Sequence, residues 1–594
     1  MTTSVQTPTR SDGANASPPR VDDIGFLFRN SAGGIQISGD SGAGKSNAMV
    51  VLMQHCVRQR QPFLFIDPHG RDATALRNWM LTRGKSTTDK LVYIQPSNPN
   101  SPLPCLNPLA VSAHGDDFYS RAEITNKVGH VANILLHAWG EHDGFTGRPR
   151  LFTWLYRILR QLAMLGLSMA DAVHFLDIGS EIYQLLVQNV SDPIARSAFE
   201  ELAGSRIREQ KEEIESTRNR LLGFIDQNPI GTHMLGRTDG VLDFRQLMQD
   251  GCYVVVDLRK DGVLRDEDQQ IFANLFLAEL LHTVFNMPEK DCVPYLAFVD
   301  ELPVFAPSFP QITSALAQIR KFNLRFVLAH QGVNMFPERT QDRLLQACTS
   351  LCGVKLYFRH VNPVDAKFFG EVISLRSYSS KKMKHEQVTP TQFHDGYDFE
   401  TIVDRAENWS DTNTKSNAQM LGETLKGAID GAKIDRSNQT TNASSQASTT
   451  GGSRTFKTVP LARMKWHDVV SSIQFLSADE QMLEAAAEVS KLETGEAFLL
   501  VSGGEGATVK FPLADSRLSR AIRFLAERTR VLQQRLALRA DFDFSNVLEE
   551  GRHVFNRRLV EALVERLRQQ RAISFDSEGL PDPNDFDAPP GVGI

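Results

Sequence analysis

The sequence predicts an α/β fold that is built on a mainly parallel central sheet. A glycine-rich turn lies between a short apolar strand and a helix near the start of the chain. Several continuous apolar runs follow, and each ends at polar or turn residues, which is typical of parallel strands covered on both faces. A long stretch with only helical spacing separates these runs. We therefore expect an all-α inserted domain within the α/β region and a helical C-terminal extension after it.

The glycine-rich turn reads G-D-S-G-A-G-K-S and contains the complete phosphate-binding pattern G-x-x-x-x-G-K-[ST]. Its glycines allow backbone N–H groups to curl around phosphate oxygens, and the helix that follows favours negative charge at its N-terminus. The pattern assigns nucleotide binding to Gly39, Asp40, Ser41, Gly42, Ala43, Gly44, Lys45 and Ser46. Lys45 should reach the β- and γ-phosphates, and Ser46 should hold Mg²⁺. ATP and Mg²⁺ are therefore the expected cofactors.

A later apolar run, Tyr295–Val299, ends in Asp300 and Glu301, as a Walker B element does. Asp300 would hold Mg²⁺ through water, and Glu301 would orient and deprotonate the attacking water. Adjacent carboxylates at a strand end are common by chance, so this assignment depends on the phosphate-binding turn upstream. Gln331 follows the run Leu324–Ala329. Because ligands bind at the carboxyl ends of parallel strands, Gln331 is expected to sense the γ-phosphate or the water.

Three arginines lie close to these strands. Arg320 and Arg325 bracket the start of the run that precedes Gln331, and Arg359 follows the run Val354–Phe358. An arginine in such a place can reach into the nucleotide of a neighbouring subunit and stabilise the transferring phosphoryl group. It can equally be a surface ion-pair partner. The sequence leaves open which of the three, if any, acts in trans.

The motifs occur in a specific order. In chain order they are G-D-S-G-A-G-K-S, F-I-D-P-H-G, L-N-P-L, a helical insertion, V-D-E-L-P-V-F, R-K-F-N-L-R-F-V-L-A-H-Q and V-K-L-Y-F-R. This order resembles the HerA/FtsK superfamily of DNA-pumping ATPases. Within it, the chain is most similar to the conjugative type IV secretion coupling ATPases of the TraD/TraG class. The resemblance covers roughly residues 25–370 and a short C-terminal piece.

The resemblance implies a RecA-like motor domain, a hexameric ring and DNA that moves through the central channel. It makes Lys45 and Ser46 the nucleotide and Mg²⁺ ligands, Asp300 and Glu301 the Walker B pair, Gln331 the next motif, and Arg320 the trans-acting arginine. DNA would be contacted mostly at its phosphates. Secretion-channel or relaxosome proteins are the further partners that it suggests.

Other functions remain open on the sequence alone. The chain would serve equally as an ATPase receptor that recruits protein substrates to a type IV secretion channel. A HerA-like motor in DNA repair or phage defence is a further alternative, and so is a nucleotide-bound scaffold. Stimulation of ATP hydrolysis by DNA separates a DNA motor from a protein receptor.

Composition limits the surroundings in which the chain works. The net charge of the 594 residues is −6, so any DNA-binding surface must be local. No run approaches the roughly 18 apolar residues of a membrane span, and the polar N-terminus lacks a signal peptide. Membrane-anchored coupling proteins carry such spans ahead of the P-loop. We therefore expect no integral membrane segment and a cytoplasmic location, or a peripheral one at the inner membrane through partners.

The composition also divides the chain into segments. They are a disordered N-terminus (1–23), a first motor segment (24–115), an all-helical insertion (116–232), a second motor segment (233–407), a low-complexity linker or projection (408–457), motor completion (458–514), a basic helical extension (515–572) and an acidic disordered tail (573–594). Within the low-complexity segment, residues 420–434 predict a short helix. The basic extension is either a helical hairpin that solvates its arginines or a surface that contacts phosphates or a membrane.

Overall fold

The computed structural model describes residues 23–98, 103–110, 118–141, 147–237, 241–336, 341–380, 382–405, 418–426, 433–441, 454–502 and 506–515. The chain divides into two compact units, of which the first comprises Met1–Tyr378 with Ala478–Ile594 and the second comprises Ser379–Ser477. Except for Asp23 and Asp515, the predicted disordered N-terminus, basic extension and acidic tail lie outside the described residues.

A nine-stranded sheet organises the first unit. Its strands are β1 (Gly34–Ser38), β2 (Phe63–Asp67), β3 (Leu91–Ile94), β4 (Tyr253–Asp257), β5 (Tyr295–Val299), β6 (Leu324–His330), β7 (Val354–Phe358), β12 (Glu496–Val501) and β13 (Ala507–Lys510). Their order across the sheet is β13-β12-β7-β1-β6-β5-β2-β4-β3. All pairings from β7 to β3 are parallel, whereas β12 pairs antiparallel with both β7 and β13. The predicted mainly parallel sheet is confirmed.

The parallel strands are buried because helices cover both faces of the sheet. Successive residues of β2 show this directly: Leu64 and Ile66 belong to one hydrophobic core, and Phe63 and Phe65 belong to the other. All four side chains are fully buried. A strand with two buried faces needs apolar residues at every position, which explains why these strands are continuous apolar runs in the sequence.

Helices make up most of the rest of the first unit. The α-helices are Ile24–Asn30 (α1), Lys45–Arg58 (α2), Arg71–Leu81 (α3), Lys85–Thr88, Phe118–Ala138, Pro149–Met164, Ala172–Leu176, Glu181–Gln188, Pro193–Gly204, Ile207–Gln227, Pro229–Leu235, Phe244–Gln249, Asp266–Phe285, Phe309–Gln318, Gln346–Leu351, Pro363–Ser377 and Ala478–Lys491. Short 3-10 turns are Met169–Asp171, Glu289–Asp291, Leu302–Ser308, Ile319–Phe322 and Val333–Met335, and Gln341–Leu345 is a π-turn.

The predicted helical insertion is present, but it is not separate from the sheet. Its described residues from Phe118 to Leu235 are helices and short connections. Their apolar side chains share one core with one face of the sheet. The helix Phe118–Ala138 also contacts the helix Asp266–Phe285 through an ion pair between Lys127 and Glu279, 2.9 Å from Nζ to Oε1. The insertion therefore forms one compact unit with the sheet.

Two strands within the predicted motor-completing segment (458–514) complete the sheet. β12 and β13 form an antiparallel hairpin at the edge beside β7. The helix Ala478–Lys491 packs on Pro363–Ser377, where a Cβ on Gly370 would approach the backbone nitrogen of Ala486 to 2.7 Å.

The second unit corrects two predicted boundaries. The second motor segment ends at Tyr378 rather than at residue 407, and residues 458–477 do not complete the motor. Instead, β8 (Met383–Arg405) pairs antiparallel with β11 (Arg454–Phe475) in a long two-stranded ribbon. The two strands lie far apart in the sequence, and neither is a continuous apolar run like the parallel strands of the first unit.

The predicted helix at residues 420–434 is wrong. The described residues there form an antiparallel pair, β9 (Ala418–Lys426) with β10 (Lys433–Thr441). Cross-strand hydrogen bonds satisfy the backbone of this polar segment, which has too few apolar residues to anchor a helix on a core.

Two further observations concern membrane spans and cysteines. Among the described residues, no helix combines the length and the apolar content that a membrane span requires. All six cysteines are buried, and none of them forms a disulfide.

Candidate nucleotide site

The predicted site residues meet at one edge of the sheet. The parallel strands all end there, and the segment that follows β1 lies between those that follow β6 and β7. Asp300 follows β5, Gln331 follows β6, and Arg359 follows β7. Because the strands run parallel, residues from distant parts of the chain are brought to this edge.

Residues 39–44 form a loop whose backbone is shaped for phosphate. Gly42 and Gly44 have φ angles of +76° and +119°, which residues other than glycine rarely adopt. A Cβ on Gly44 would also lie 3.0 Å from the backbone of Gly495. The N–H of Asp40 donates to the carbonyl of Arg359 over 2.9 Å, which ties the loop to the end of β7. The loop ends at the first residue of α2, so the helix N-terminus faces the cradle.

Lys45 lies inside this loop and is only 9% exposed. Its Nζ donates to the carbonyl of Gly39 and, over 3.0 Å, to the carbonyl of Asp40. Burial lowers the pKa of Lys45, while the carboxylates of Glu301 and Asp300 act in the opposite direction. The ammonium group therefore contacts the loop and is close enough to Glu301 and Asp300 to be influenced by their charges.

Asp300 and Glu301 have different environments although they are adjacent. Burial, with the charges of Asp67, Glu301 and Asp72, raises the pKa of Asp300 to about 7. For Glu301, burial also acts to raise the pKa, but the nearby imidazole of His69 and the hydrogen bond from Gln331 outweigh it, and the net pKa is lowered. Glu301 is therefore held as a carboxylate, as an acceptor for a proton from water must be.

Glu301 is held in a strained backbone conformation. Its φ is +50°, in the left-handed region that costs energy for a residue with a long side chain. Gln331 Nε2 donates a hydrogen bond to Glu301 Oε1. His69 Nε2 lies 3.6 Å from the same oxygen. Two side chains from other strands therefore fix the orientation of this carboxylate.

Asp72 is a site residue that the sequence analysis missed. It is the second residue of α3, and its carboxylate lies near the hydroxyl of Ser46. Burial raises the pKa of Asp72, and the interaction with the Ser46 hydroxyl acts against the rise. Asp72 is thus adjacent to the predicted Mg²⁺ ligand. The signal in the sequence is the run D-P-H-G-R-D, which begins at the last residue of β2.

The turn after β2 positions both His69 and Asp72. Asp67, which is 1% exposed, accepts hydrogen bonds from the N–H groups of His69 and Ala73, both over 2.8 Å. Gly70 has a φ of +73°, and a Cβ there would lie 2.1 Å from Oδ1 of Asp257. The turn is therefore specified by a buried cap and by a glycine without space for a side chain.

Of the three arginines, two lie near one edge of the sheet and the third lies at the opposite edge. Arg320 is in the 3-10 turn before β6, and its side chain lies outside the described part of the structure. Arg325, in β6, donates from Nη1 to the carbonyl of Phe28 over 2.9 Å. Both residues are near the amino end of β6. Arg359 is at the carboxyl edge beside the P-loop, and its buried Nε has no hydrogen-bond partner among the described residues.

Known structures that are similar to this chain include plasmid coupling proteins. The conjugative coupling protein TrwBdeltaN70, in its unbound monoclinic form, is 13% identical, covers 84% of this chain and 93% of its own, and has a TM-score of 0.47. TrwB in complex with the ATP analogue ADPNP is 14% identical, with 84% and 90% covered and a TM-score of 0.48.

VirB4 of Thermoanaerobacter pseudethanolicus is 17% identical, with 58% of this chain and 81% of VirB4 covered and a TM-score of 0.35. No family model matches the sequence, and no curated protein matches it.

Proposed function

We propose that this chain is an ATP-driven DNA translocase of the conjugative coupling-protein type, which acts as a ring of identical subunits, with a hexamer as the expected size. One observation supports the ATPase activity. Lys45 and Ser46 lie at the same edge of the sheet as Asp300, Glu301 and Gln331. The order of motifs along the chain supports the proposal that hydrolysis drives DNA translocation.

The residues present fit ATP and Mg²⁺. The loop of residues 39–44 has the backbone shape of a phosphate cradle, and Lys45 is buried next to it. The hydroxyl of Ser46 lies against the carboxylate of Asp72, and Asp300 is buried among other carboxylates. Mg²⁺ held by Ser46 and, through water, by Asp300 would neutralise charge on the β- and γ-phosphates.

Each side chain then has a distinct task. Lys45 exchanges its contacts with the carbonyls of Gly39 and Asp40 for contacts with phosphate oxygens. Glu301 takes a proton from the water that attacks the γ-phosphate. Gln331 holds Glu301 in place. When the γ-phosphate is lost, the side-chain amide of Gln331 has different groups to contact. Because Gln331 directly follows β6, this change passes to the segment beyond that strand.

An arginine from a neighbouring subunit completes the site in this proposal, and Arg320 is the candidate. It lies near the amino end of β6, whereas the P-loop is at the carboxyl edge. Seven residues of strand separate these edges by about 20 Å, so Arg320 is too far away to serve its own P-loop. Hydrolysis would therefore depend on assembly of the ring.

ATP hydrolysis with and without single- and double-stranded DNA tests the proposal. We expect DNA to stimulate hydrolysis, the stimulation to weaken with added salt, and Lys45→Ala and Glu301→Gln to abolish hydrolysis. Lys85→Ala and Glu289→Gln, both at exposed positions, are the matched controls. Glu301→Gln should still bind ATP. Hydrolysis that is indifferent to both forms of DNA would contradict the translocase and favour a receptor for protein substrates.

A further inference from the structure

Three side chains that the nucleotide mechanism does not use converge behind the P-loop. Asp40 belongs to the loop, His360 is the second residue after β7, and Asp365 is in the first turn of the helix Pro363–Ser377. One ligand atom from each lies within 4.8 Å of the other two. His360 is fully buried, and Asp365 is 4% exposed.

The hydrogen bonds around His360 determine which ring nitrogen carries the proton. The hydroxyl of Ser38 donates to the carbonyl of Gln331 over 3.0 Å, so its oxygen is left as an acceptor. The Nε2 atom of His360 lies 3.0 Å from that oxygen and therefore donates to it. The ring is also held by stacking on Phe369, with centroids 4.3 Å apart. In the neutral ring, Nδ1 must then carry the lone pair.

This lone pair points to the two carboxylates. Among the described residues, Nδ1 of His360 has no hydrogen-bond partner. Oδ1 of Asp40 lies 3.6 Å from this nitrogen, which is longer than a hydrogen bond. A buried lone pair beside two negative charges is unfavourable unless a positive charge lies between them.

The carboxylates are also oriented by their other oxygens. Oδ2 of Asp40 accepts from the N–H of Val361 over 2.6 Å, and Oδ1 of Asp365 accepts from the N–H of Val333 over 2.8 Å. One oxygen of each carboxylate therefore remains for a ligand. Metal-binding histidines and carboxylates typically have such second contacts, because these fix the orientation of the ligand atoms.

We propose that Asp40, His360 and Asp365 bind a divalent transition-metal ion, with water in the open positions. One imidazole nitrogen and two carboxylate oxygens suit Zn²⁺, whereas Mg²⁺ prefers oxygen ligands alone. Ligands at about 2.1 Å from a tetrahedral ion lie about 3.4 Å apart, so side-chain movements of about 1 Å close the site. This site is distinct from the Mg²⁺ site at Ser46 and does not depend on the proposed function.

A metal ion here would connect three parts of the nucleotide edge. Asp40 lies in the P-loop, and His360 and Asp365 lie after β7. Through Ser38, His360 is also linked to the carbonyl of Gln331, the residue that contacts Glu301. The ion would therefore stabilise the P-loop against the strands beside it.

The test is zinc binding by the full chain without nucleotide. The protein is treated with a chelator, dialysed against Zn²⁺ with a large excess of Mg²⁺, freed of unbound metal and analysed by mass spectrometry of its metals. We expect about one zinc ion per chain and a rise in Tm of about 3 °C. His360→Gln and Asp365→Asn should lose both the zinc and the rise in Tm.

Control variants separate this site from others that bind metals. His55→Gln changes a histidine outside the cluster, Cys348→Ser removes a buried thiol, and Asp300→Asn alters the Mg²⁺ site. All three should keep the zinc. Circular dichroism of the metal-free proteins checks that Asp365→Asn, which preserves the side-chain shape, is folded. A wild type without zinc, or equal zinc in wild type, His360→Gln and Asp365→Asn, would overturn the proposal.

Discussion

Gln331 Nε2 donates a hydrogen bond to Oε1 of Glu301. The two residues follow β6 and β5, which are neighbours in the sheet. The residue expected to sense the γ-phosphate therefore touches the residue expected to activate water. Because Glu301 has a φ of +50°, its position depends on such contacts.

Removing this hydrogen bond should slow hydrolysis and leave nucleotide binding unchanged. In Gln331→Ala, we expect kcat to fall by about 100-fold, because Glu301 is no longer oriented towards the water. Steady-state hydrolysis and the Kd of a fluorescent ATP analogue measure the two effects. Gln59→Ala, an exposed glutamine at the end of α2, is the control. Wild-type kcat in Gln331→Ala would contradict the role of Gln331.

The contact between His69 and Glu301 predicts a pH dependence of stability. The contact with the Glu301 carboxylate raises the pKa of His69 above its ordinary 6.5. A raised pKa in the folded state means that the contact stabilises the fold fully below the ordinary pKa. The contribution is lost as pH rises through the raised value. The Tm difference between wild type and His69→Gln should therefore shrink with increasing pH over this range.

A second histidine is a control with the opposite sign. Burial lowers the pKa of His55, so this residue reduces stability as pH falls below 6.5. Thermal unfolding of wild type, His69→Gln and His55→Gln, followed from about pH 5 to about pH 8, compares the two. If wild type and His69→Gln had the same pH profile, the His69 contact would not exist in solution.

Gly70 should be difficult to replace. Gly70→Ala is expected to cost about 3 kcal/mol, because the new Cβ would meet Asp257 Oδ1 at 2.1 Å and the φ is +73°. Gly166 has a similar φ of +69° with nothing within 4 Å of its Cβ position. Gly166→Ala should therefore cost only about 1 kcal/mol. Chemical denaturation measures both, and equal costs would show that the turn accommodates a side chain.

Mixing two inactive variants tests whether Arg320 acts in trans. Arg320→Ala and Lys45→Ala should each lack hydrolysis on its own. In mixed rings, a Lys45→Ala subunit can supply Arg320 to the intact P-loop of an Arg320→Ala neighbour. Equal mixing should therefore restore up to about a quarter of the wild-type rate. Activity in Arg320→Ala alone, or an inactive mixture, would exclude this role, and Arg325→Ala or Arg359→Ala would then be mixed in the same way.

Local patterns in the sequence were sufficient to predict strands of the central sheet and some residues of the site. The strands Tyr295–Val299 and Val354–Phe358 have the bounds that their apolar runs predict. This succeeds because a strand buried on both faces leaves a continuous apolar run that ends at turn residues. The P-loop was equally clear, since its glycines and its Lys-Ser ending are needed within eight consecutive residues, from Gly39 to Ser46.

Only the tertiary structure decided which of these local features touch each other. The strand order places the ends of β1, β6 and β5 side by side, and so brings Gln331 to Glu301. The same packing brings Asp72 to Ser46 and His360 to Asp40. Pairing between distant segments likewise produced the ribbon of β8 and β11. Strand order and pairing depend on the burial of the whole sheet, a long-range balance of free energy that no short stretch of sequence contains.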